Sequence, residues 1–279
     1  MAELAYVNGT LSAIESARVP IEDRGYQFGD AVYEFIASYN GTLFCLEEHL
    51  DRLERSLRGL EFPPMSRDGI RKAILMLFEK ASISRAGIYI QISRGAAPRN
   101  HLFPKSTSPQ VVMTIREVEE KPAELRKNGA AAITVEDFRW GRCDLKTVQL
   151  LPNVLAKQKA IDAGAFDAIF ISEGIVREAT SSNFSIVSGG GIITHPLNRN
   201  ILPGITRMVI IDLCKELKIP VHERFFATEE LFRADEAFLT GTVTEVLPIV
   251  QVDRRRIGEG RVGPVTQRLY EALRERAGA

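Results

Sequence analysis

Cysteine is scarce: Cys45, Cys143 and Cys214 are all that 279 residues contain. They are far apart, and no two stand at Cys-x-x-Cys spacing. That argues against a disulfide scaffold or a zinc site and suits a reducing cytoplasm. Charge of one sign is lacking too. Lys plus Arg number 36 and Asp plus Glu number 36, a formal net charge of zero, whereas general nucleic-acid and membrane-surface binders need a positive field. No run approaches the ~20 apolar residues of a membrane span. The opening Met1 to Thr10 includes Glu3 and Asn8, so no signal peptide is read and a cytoplasmic location is expected. Repeats and low-complexity stretches are missing as well. His49, His195 and His222 have no partners at metal-ligand spacing, so no metal is expected.

What is present is ordinary globular composition, 45% hydrophobic and 26% charged, in a chain long enough for one large or two ordinary domains. Asn8-Gly9 and Asn40-Gly41 each separate strand-like runs and read as hairpin turns. Leu46, Leu50, Leu53, Leu57 and Leu60 recur at helical spacing, and Ser66 is placed to cap a second helix reaching about Ile83. With strand-like Gly87 to Arg94 and Val111 to Arg116, residues 1–117 read as a small α+β N-terminal domain. Glu117 to Gly129 holds seven charged residues and one Pro, and 118–129 is read as a linker. Residues 130–279 form a larger C-terminal domain, with strands near Ala131–Val135, Phe166–Ile171 and Phe184–Val187. Helices are expected after Lys146, at Gly204–Leu217 and at Pro264–Arg276. The overall class is α+β.

Some motifs are decoys. Gly258 to Gly263 matches Gly-x-Gly-x-x-Gly, but only sixteen residues follow, too few for a dinucleotide-binding βαβ unit, and a turn before the last helix is expected. Arg254-Arg255-Arg256 reads as a solvated turn, and Gly189-Gly190-Gly191 as a hairpin loop.

Four segments carry chemistry together: Arg139 to Lys146; Arg177-Glu178-Ala179-Thr180-Ser181-Ser182-Asn183; Leu202-Pro203-Gly204-Ile205-Thr206; and Thr240-Gly241-Thr242. The last two suit an anion, because backbone N–H groups at a helix start combine with hydroxyls. Their order and wording resemble the fold-type IV pyridoxal phosphate (PLP) enzymes. Glu22 to Glu34 (EDRGYQFGDAVYE) and Arg94 to His101 (RGAAPRNH) are similar to the signatures of the D-amino-acid transaminases within that group. The resemblance runs from about Tyr6 to the last helix.

The resemblance implies a two-domain enzyme holding PLP at the domain interface and moving amino groups between D-amino acids and 2-oxo acids. Lys146 would be the Schiff-base lysine and proton shuttle. Glu178 would face the pyridine nitrogen, Arg52 would bind the phosphate with Ile205, Thr206 and Thr242, and Leu202 would pack behind the ring. Arg139 would approach the ring hydroxyl. Tyr33, Arg99 and His101 would bind the substrate α-carboxylate, the last two reaching across from a partner subunit, so a homodimer is implied. Branched-chain L-amino-acid or (R)-amine transaminases and aminodeoxychorismate lyases of the same fold are the alternatives. Gly241, the Ala179-Thr180 pair and Pro203 depart mildly from the family pattern, and none of them falls on the lysine or the carboxylate trap.

Overall fold

The computed structural model describes residues 3–279. Its chain divides into two compact units, one running to Glu119 with Leu145–Gln149 added, the other made of Glu120–Asp144 and Leu150–Ala279.

In the first unit the order is β1 (Leu4–Val7), β2 (Thr10–Ala13), α1 (Arg24–Phe28), β3 (Ala31–Tyr39), β4 (Thr42–Leu43), α2 (Leu46–Gly59), α3 (Arg67–Ala81), β5 (Ala86–Ser93) and β6 (Gln110–Glu117). Both Asn-Gly turns occur as read, with Asn8 at φ 47° and Asn40 at φ 46° followed by glycines also at positive φ, the left-handed pair that a tight hairpin requires. Ser66 accepts from the Gly69 N–H at 3.1 Å and so caps α3. Six strands form one sheet in the order β2-β1-β6-β5-β3-β4. Leu50, Leu53 and Leu57 of α2 pack with Ile70, Ile74 and Leu77 of α3, and with inward Val32, Ile36, Ile88 and Ile90, into a single core. The period of 3.6 on the helices and of 2 on the strands brings these side chains to one face each.

In the second unit come α4 (Ala123–Asn128), β7 (Ala130–Glu136), α5 (Leu151–Asp162), β8 (Asp167–Ser172), β9 (Ile175–Ala179), β10 (Asn183–Ser188), β11 (Gly191–Thr194), α6 (Ile205–Glu216), β12 (Val221–Glu223), α7 (Thr228–Leu231), β13 (Glu236–Gly241), β14 (Glu245–Val252), β15 (Arg255–Arg256) and α8 (Pro264–Ala277). Strands run β12-β11-β10-β13-β14-β7-β8-β9, with β15 paired to β14. β9 also pairs with β10, at Glu178 opposite Asn183. That one pairing closes β10, β13, β14, β7, β8 and β9 into a ring. Phe184, Ile186, Leu239, Leu247 and Ile249 belong to the core of this unit.

Two boundaries differ from the sequence reading. The stretch 118–129 read as a linker contains α4, and Arg126 bonds buried Glu245 at 2.6 Å and the Val246 carbonyl at 3.0 Å. Arg126 is thus matched within the second unit, while Glu119, Glu124 and Lys127 stay exposed. Leu145–Gln149 belongs to the first unit, because Tyr33 N–H donates to the Lys146 carbonyl and Val148 N–H to the Ala31 carbonyl, adding a short strand-like edge to β3. The decoys behave as read: exposed Arg254–Arg256 lies at the β14–β15 turn, and Gly258–Gly263 is irregular chain before α8.

Ile88 is wholly buried at the centre of the first core. Ile88→Ala is expected to lower unfolding free energy by about 2–5 kcal/mol, measured by urea denaturation.

Candidate active site

The residues singled out from sequence divide between the units. Lys146, Arg52, Tyr33, Arg99 and His101 belong to the first, and Glu178, Arg139, Leu202, Ile205, Thr206 and Thr242 to the second.

Lys146 is held by its backbone. Its N–H donates to Ser56 Oγ of α2 at 3.1 Å, and its carbonyl accepts from Tyr33 N–H at 2.9 Å. The preceding Leu145 packs on Gly59, where an added Cβ would lie 2.5 Å from Leu145 Cδ2. Absence of a side chain at Gly59 therefore lets the lysine segment approach the end of α2. The Lys146 ammonium lies 4.1 Å from the centre of the Tyr33 ring, and Tyr33 meets Tyr89 at 5.7 Å between ring centroids. Burial pushes the Tyr89 phenol up to about 12, with Tyr33 adding to the rise.

On the opposite face of β3, Glu34 is fully buried. Arg52 donates from Nε and Nη2 to its two oxygens, each at 2.7 Å, and His49 Nδ1 lies 2.7 Å from Oε2. Burial alone would raise the Glu34 carboxyl, but the Arg52 charge and hydrogen bond, with those of His49, hold it well below the usual carboxylate range. Burial lowers the His49 imidazole despite Glu34, with the charges of Arg52 and Lys146 adding to the fall. Sequence reading left Glu34 unassigned and took His49 as structural. The available signal was a charged residue at an inward β3 position opposite an i, i+3 His and Arg on α2.

Glu178 is the penultimate residue of β9 and one half of the ring-closing pair. Arg139 Nη1 donates to Oε1, while Asn183 Nδ2 at 2.9 Å and the Leu202 N–H at 3.0 Å donate to Oε2. Burial raises the carboxyl above its usual value, and the Arg139 charge and hydrogen bond offset only part of that rise. All three partners are donors, and each favours the ionised form against the burial that opposes it. Arg139 is itself saturated: Nε and Nη2 bond Asp137 at 2.9 and 2.8 Å, and Nη2 also reaches the Asn200 carbonyl at 3.1 Å. Arg177 bonds the same Asp137 at 2.8 Å, so Arg177, Asp137, Arg139 and Glu178 alternate in sign. The structure thus bonds Arg139 to Glu178, a contact that the sequence did not reveal. Asp137 and Asn183 were missed, since neither stands out in a string of letters.

α6 begins at Ile205, and its N-cap Gly204 supplies no side-chain cap hydrogen bond. Asn183 Oδ1 crowds the preceding Gly204, where a Cβ has no room. Thr242 follows β13 in the turn to β14, where Ser182 Oγ lies 3.3 Å from Thr244 Oγ1. Arg99 and His101 are exposed on the segment after β5 and meet at Phe28, with the Arg99 guanidinium 4.8 Å from the ring centre and the His101 ring centroid at 5.4 Å. Among the described residues no group of His, Cys, Asp or Glu could hold a metal ion.

The family model for amino-transferase class IV matches residues 31–252. This chain belongs to the class IV aminotransferases. Among curated class IV relatives, D-alanine aminotransferase of Bacillus licheniformis is 42% identical over 95% of this chain and 94% of its own. The Staphylococcus haemolyticus enzyme of the same name is 41% identical, over 96% and 95%. Among solved structures, the branched-chain amino acid aminotransferase of Escherichia coli superposes with a TM-score of 0.91 at 29% identity, covering 98% of this chain and 94% of that one. A T.th. branched-chain amino acid aminotransferase with pyridoxamine 5'-phosphate has a TM-score of 0.92 at 28% identity, covering 99% and 94%.

For Glu34 and His49 the pH dependence has one sign. Both folded values lie below the ordinary 4.5 and 6.5, so the unfolded chain binds protons first and stability falls as pH falls. The urea midpoint should decline from pH 7 to 5 through His49 and further below 4.5 through Glu34. His49→Gln should flatten the first part of that decline.

Proposed function

We propose that this class IV aminotransferase exchanges amino groups between D-amino acids and 2-oxo acids with PLP as cofactor, D-alanine and 2-oxoglutarate giving pyruvate and D-glutamate. The observation that carries the substrate class is whole-length identity of 41–42% to D-alanine aminotransferases, against 28–29% to the branched-chain enzymes that share the fold. The Tyr33, Arg99 and His101 set supports it. Transamination of branched-chain L-amino acids is the second reading, favoured by the fold likeness alone.

The donor set fits the cofactor. An uncapped α6 start leaves backbone N–H groups at Ile205 and Thr206, which suit a phosphate, and Thr242 and Arg52 add a hydroxyl and a charge. Glu178 would be the buried acceptor facing the ring nitrogen, and the Arg139 charge offsets part of the rise that burial imposes on its carboxyl. Leu202 fixes Glu178 through its N–H, and its side chain would pack behind the ring. When bound, PLP supplies the electron sink that lets the substrate Cα–H bond break as a proton. Lys146 Nζ would be the attachment point and, once free, would hold and move the proton removed from the substrate Cα in either direction of the exchange. Tyr33 beside Lys146 orients the amine and faces the carboxylate. Arg99 offers a bidentate fork to that carboxylate, and His101 a further donor. Both lie on the outside of their own unit, so the reading includes a homodimer in which each copy completes the other's site. It also keeps the enzyme in the cytoplasm, where three free cysteines are stable.

Lys146→Ala should abolish the visible absorbance of the bound cofactor and all turnover, while folding as the wild type does by circular dichroism. Survival of either the band or turnover would end the assignment. In steady state with 2-oxoglutarate, Arg99→Ala should raise KM for D-alanine about tenfold or more, the size of a lost charge-assisted bond, and leave cofactor content unchanged.

A further inference from the structure

Arg99 and His101 stand on an exposed loop, with Leu102 74% and Phe103 55% exposed beside them. Such a loop is ordinarily mobile and its arginine free among rotamers. Here it is pinned from beneath. Arg24 is 4% exposed. Its Nη1 donates to the Asn100 carbonyl at 2.6 Å and the Leu102 carbonyl at 3.3 Å, so one guanidinium grips the backbone on both sides of His101. Arg24 Nε is fixed on Asp30 at 2.8 Å, and the same carboxylate binds Arg94, which in turn holds the Leu60 and Glu61 carbonyls and stacks on Phe103 at 3.8 Å. At the root of the loop Arg24 N–H bonds the Gly95 carbonyl and Ala97 N–H bonds the Glu22 carbonyl. Gly95 has φ 110°, and a Cβ there would strike the Ser108 carbonyl.

Phe28 completes the device. Its ring is met by two guanidiniums, Arg24 at 4.7 Å and Arg99 at 4.8 Å from the centroid, with His101 tilted against it. Each cation is attracted to the π face, which favours Arg99 lying over the ring. Asp23 starts this turn of α1 by accepting from the Gly25 N–H at 2.8 Å, so the helix, though short, delivers Arg24 and Phe28 together.

We infer that Arg24 and Phe28 are positioning residues for the substrate carboxylate: they hold Arg99 and His101 in one exposed, preset geometry, so that binding does not have to order the loop. This rests on the proposed carboxylate role of Arg99. Preorganisation of this kind acts on affinity, because the entropy of ordering is removed before the ligand arrives.

The test is steady-state kinetics with D-alanine on the PLP-loaded enzyme carrying Phe28→Leu, Phe28→Tyr, Arg24→Lys or Arg99→Ala. Phe28→Leu should raise KM about threefold to thirtyfold, the range a lost cation–π platform corresponds to, with kcat unchanged within error. Phe28→Tyr keeps the π face and should restore the wild-type KM, which a merely structural role would not single out. Arg24→Lys cannot grip Asp30 and two carbonyls at once and should raise KM as well; it serves as the reading if Phe28→Leu does not fold. A raised KM in Arg99→Ala with wild-type KM in the folded Phe28→Leu or Arg24→Lys enzymes would overturn this inference alone. The same holds if the Leu and Tyr variants lose kcat alike. An unchanged KM in Arg99→Ala would bring down the carboxylate assignment itself and the positioning role with it.

Discussion

A carboxylate taken out of water has to be met by donors, or it takes up a proton and changes its chemistry. Glu178 is 6% exposed and is met by three: a guanidinium, a side-chain amide and a backbone N–H. Each donor arrives from a different part of the second unit. Asn183 comes from the strand that closes the ring with β9, Leu202 from the chain leading into α6, and Arg139 from the segment following β7. Ring closure, the approach to the uncapped helix and the chain leaving β7 are all tied to that one side chain. Arg139 could not be buried beside it without Asp137, and Asp137 shares Arg177 at the rim. Charge alternates outward until it reaches solvent.

The first unit solves a similar problem by similar means. Glu34 stands on an inward strand position among Val32, Ile36, Leu50 and Leu53, and Arg52 and His49 of α2 meet it there. Such a buried pair adds little net stability compared with apolar packing, but losing one partner is costly. Its value lies in orientation: a forked contact fixes the plane of the Arg52 guanidinium, as Ser56 and Gly59 one and two turns later on the same helix fix the backbone at Lys146. A single amphipathic helix, legible from its leucines, therefore carries the proposed phosphate ligand and the lysine's support on adjacent turns.

How much of this was legible in the sequence depended on the range of the interaction. Asn-Gly turns, the Ser66 cap, the leucine period of α2 and the long helices are local, and they occur where the pattern put them. Motif wording was enough for the family and for choosing the residues to which roles are proposed. Interactions decided at long range were not readable. The five residues Leu145–Gln149 join the first unit because Tyr33 N–H and Ser56 Oγ, about ninety positions or more away in sequence, supply their hydrogen bonds. α4 hid inside a charged stretch because its Arg126 is matched to Glu245, which no periodicity reveals. The bond from Arg139 to Glu178 was hidden because the two stand 39 positions apart with a helix between them. Arg24 and Phe28 lay inside the recognised signature, yet only the geometry tells that they act on Arg99.

The central claim is that this class IV aminotransferase acts on D-amino acids. It is tested most directly by a single half-reaction: purified PLP-loaded enzyme mixed, without any oxo acid, with D-alanine in one experiment and L-leucine in another, while the visible band of the bound cofactor is followed. The account predicts rapid loss of the band with D-alanine, stoichiometric release of pyruvate, and slow or no change with L-leucine. Loss of the band with L-leucine alone would keep the fold and the lysine but contradict the substrate class.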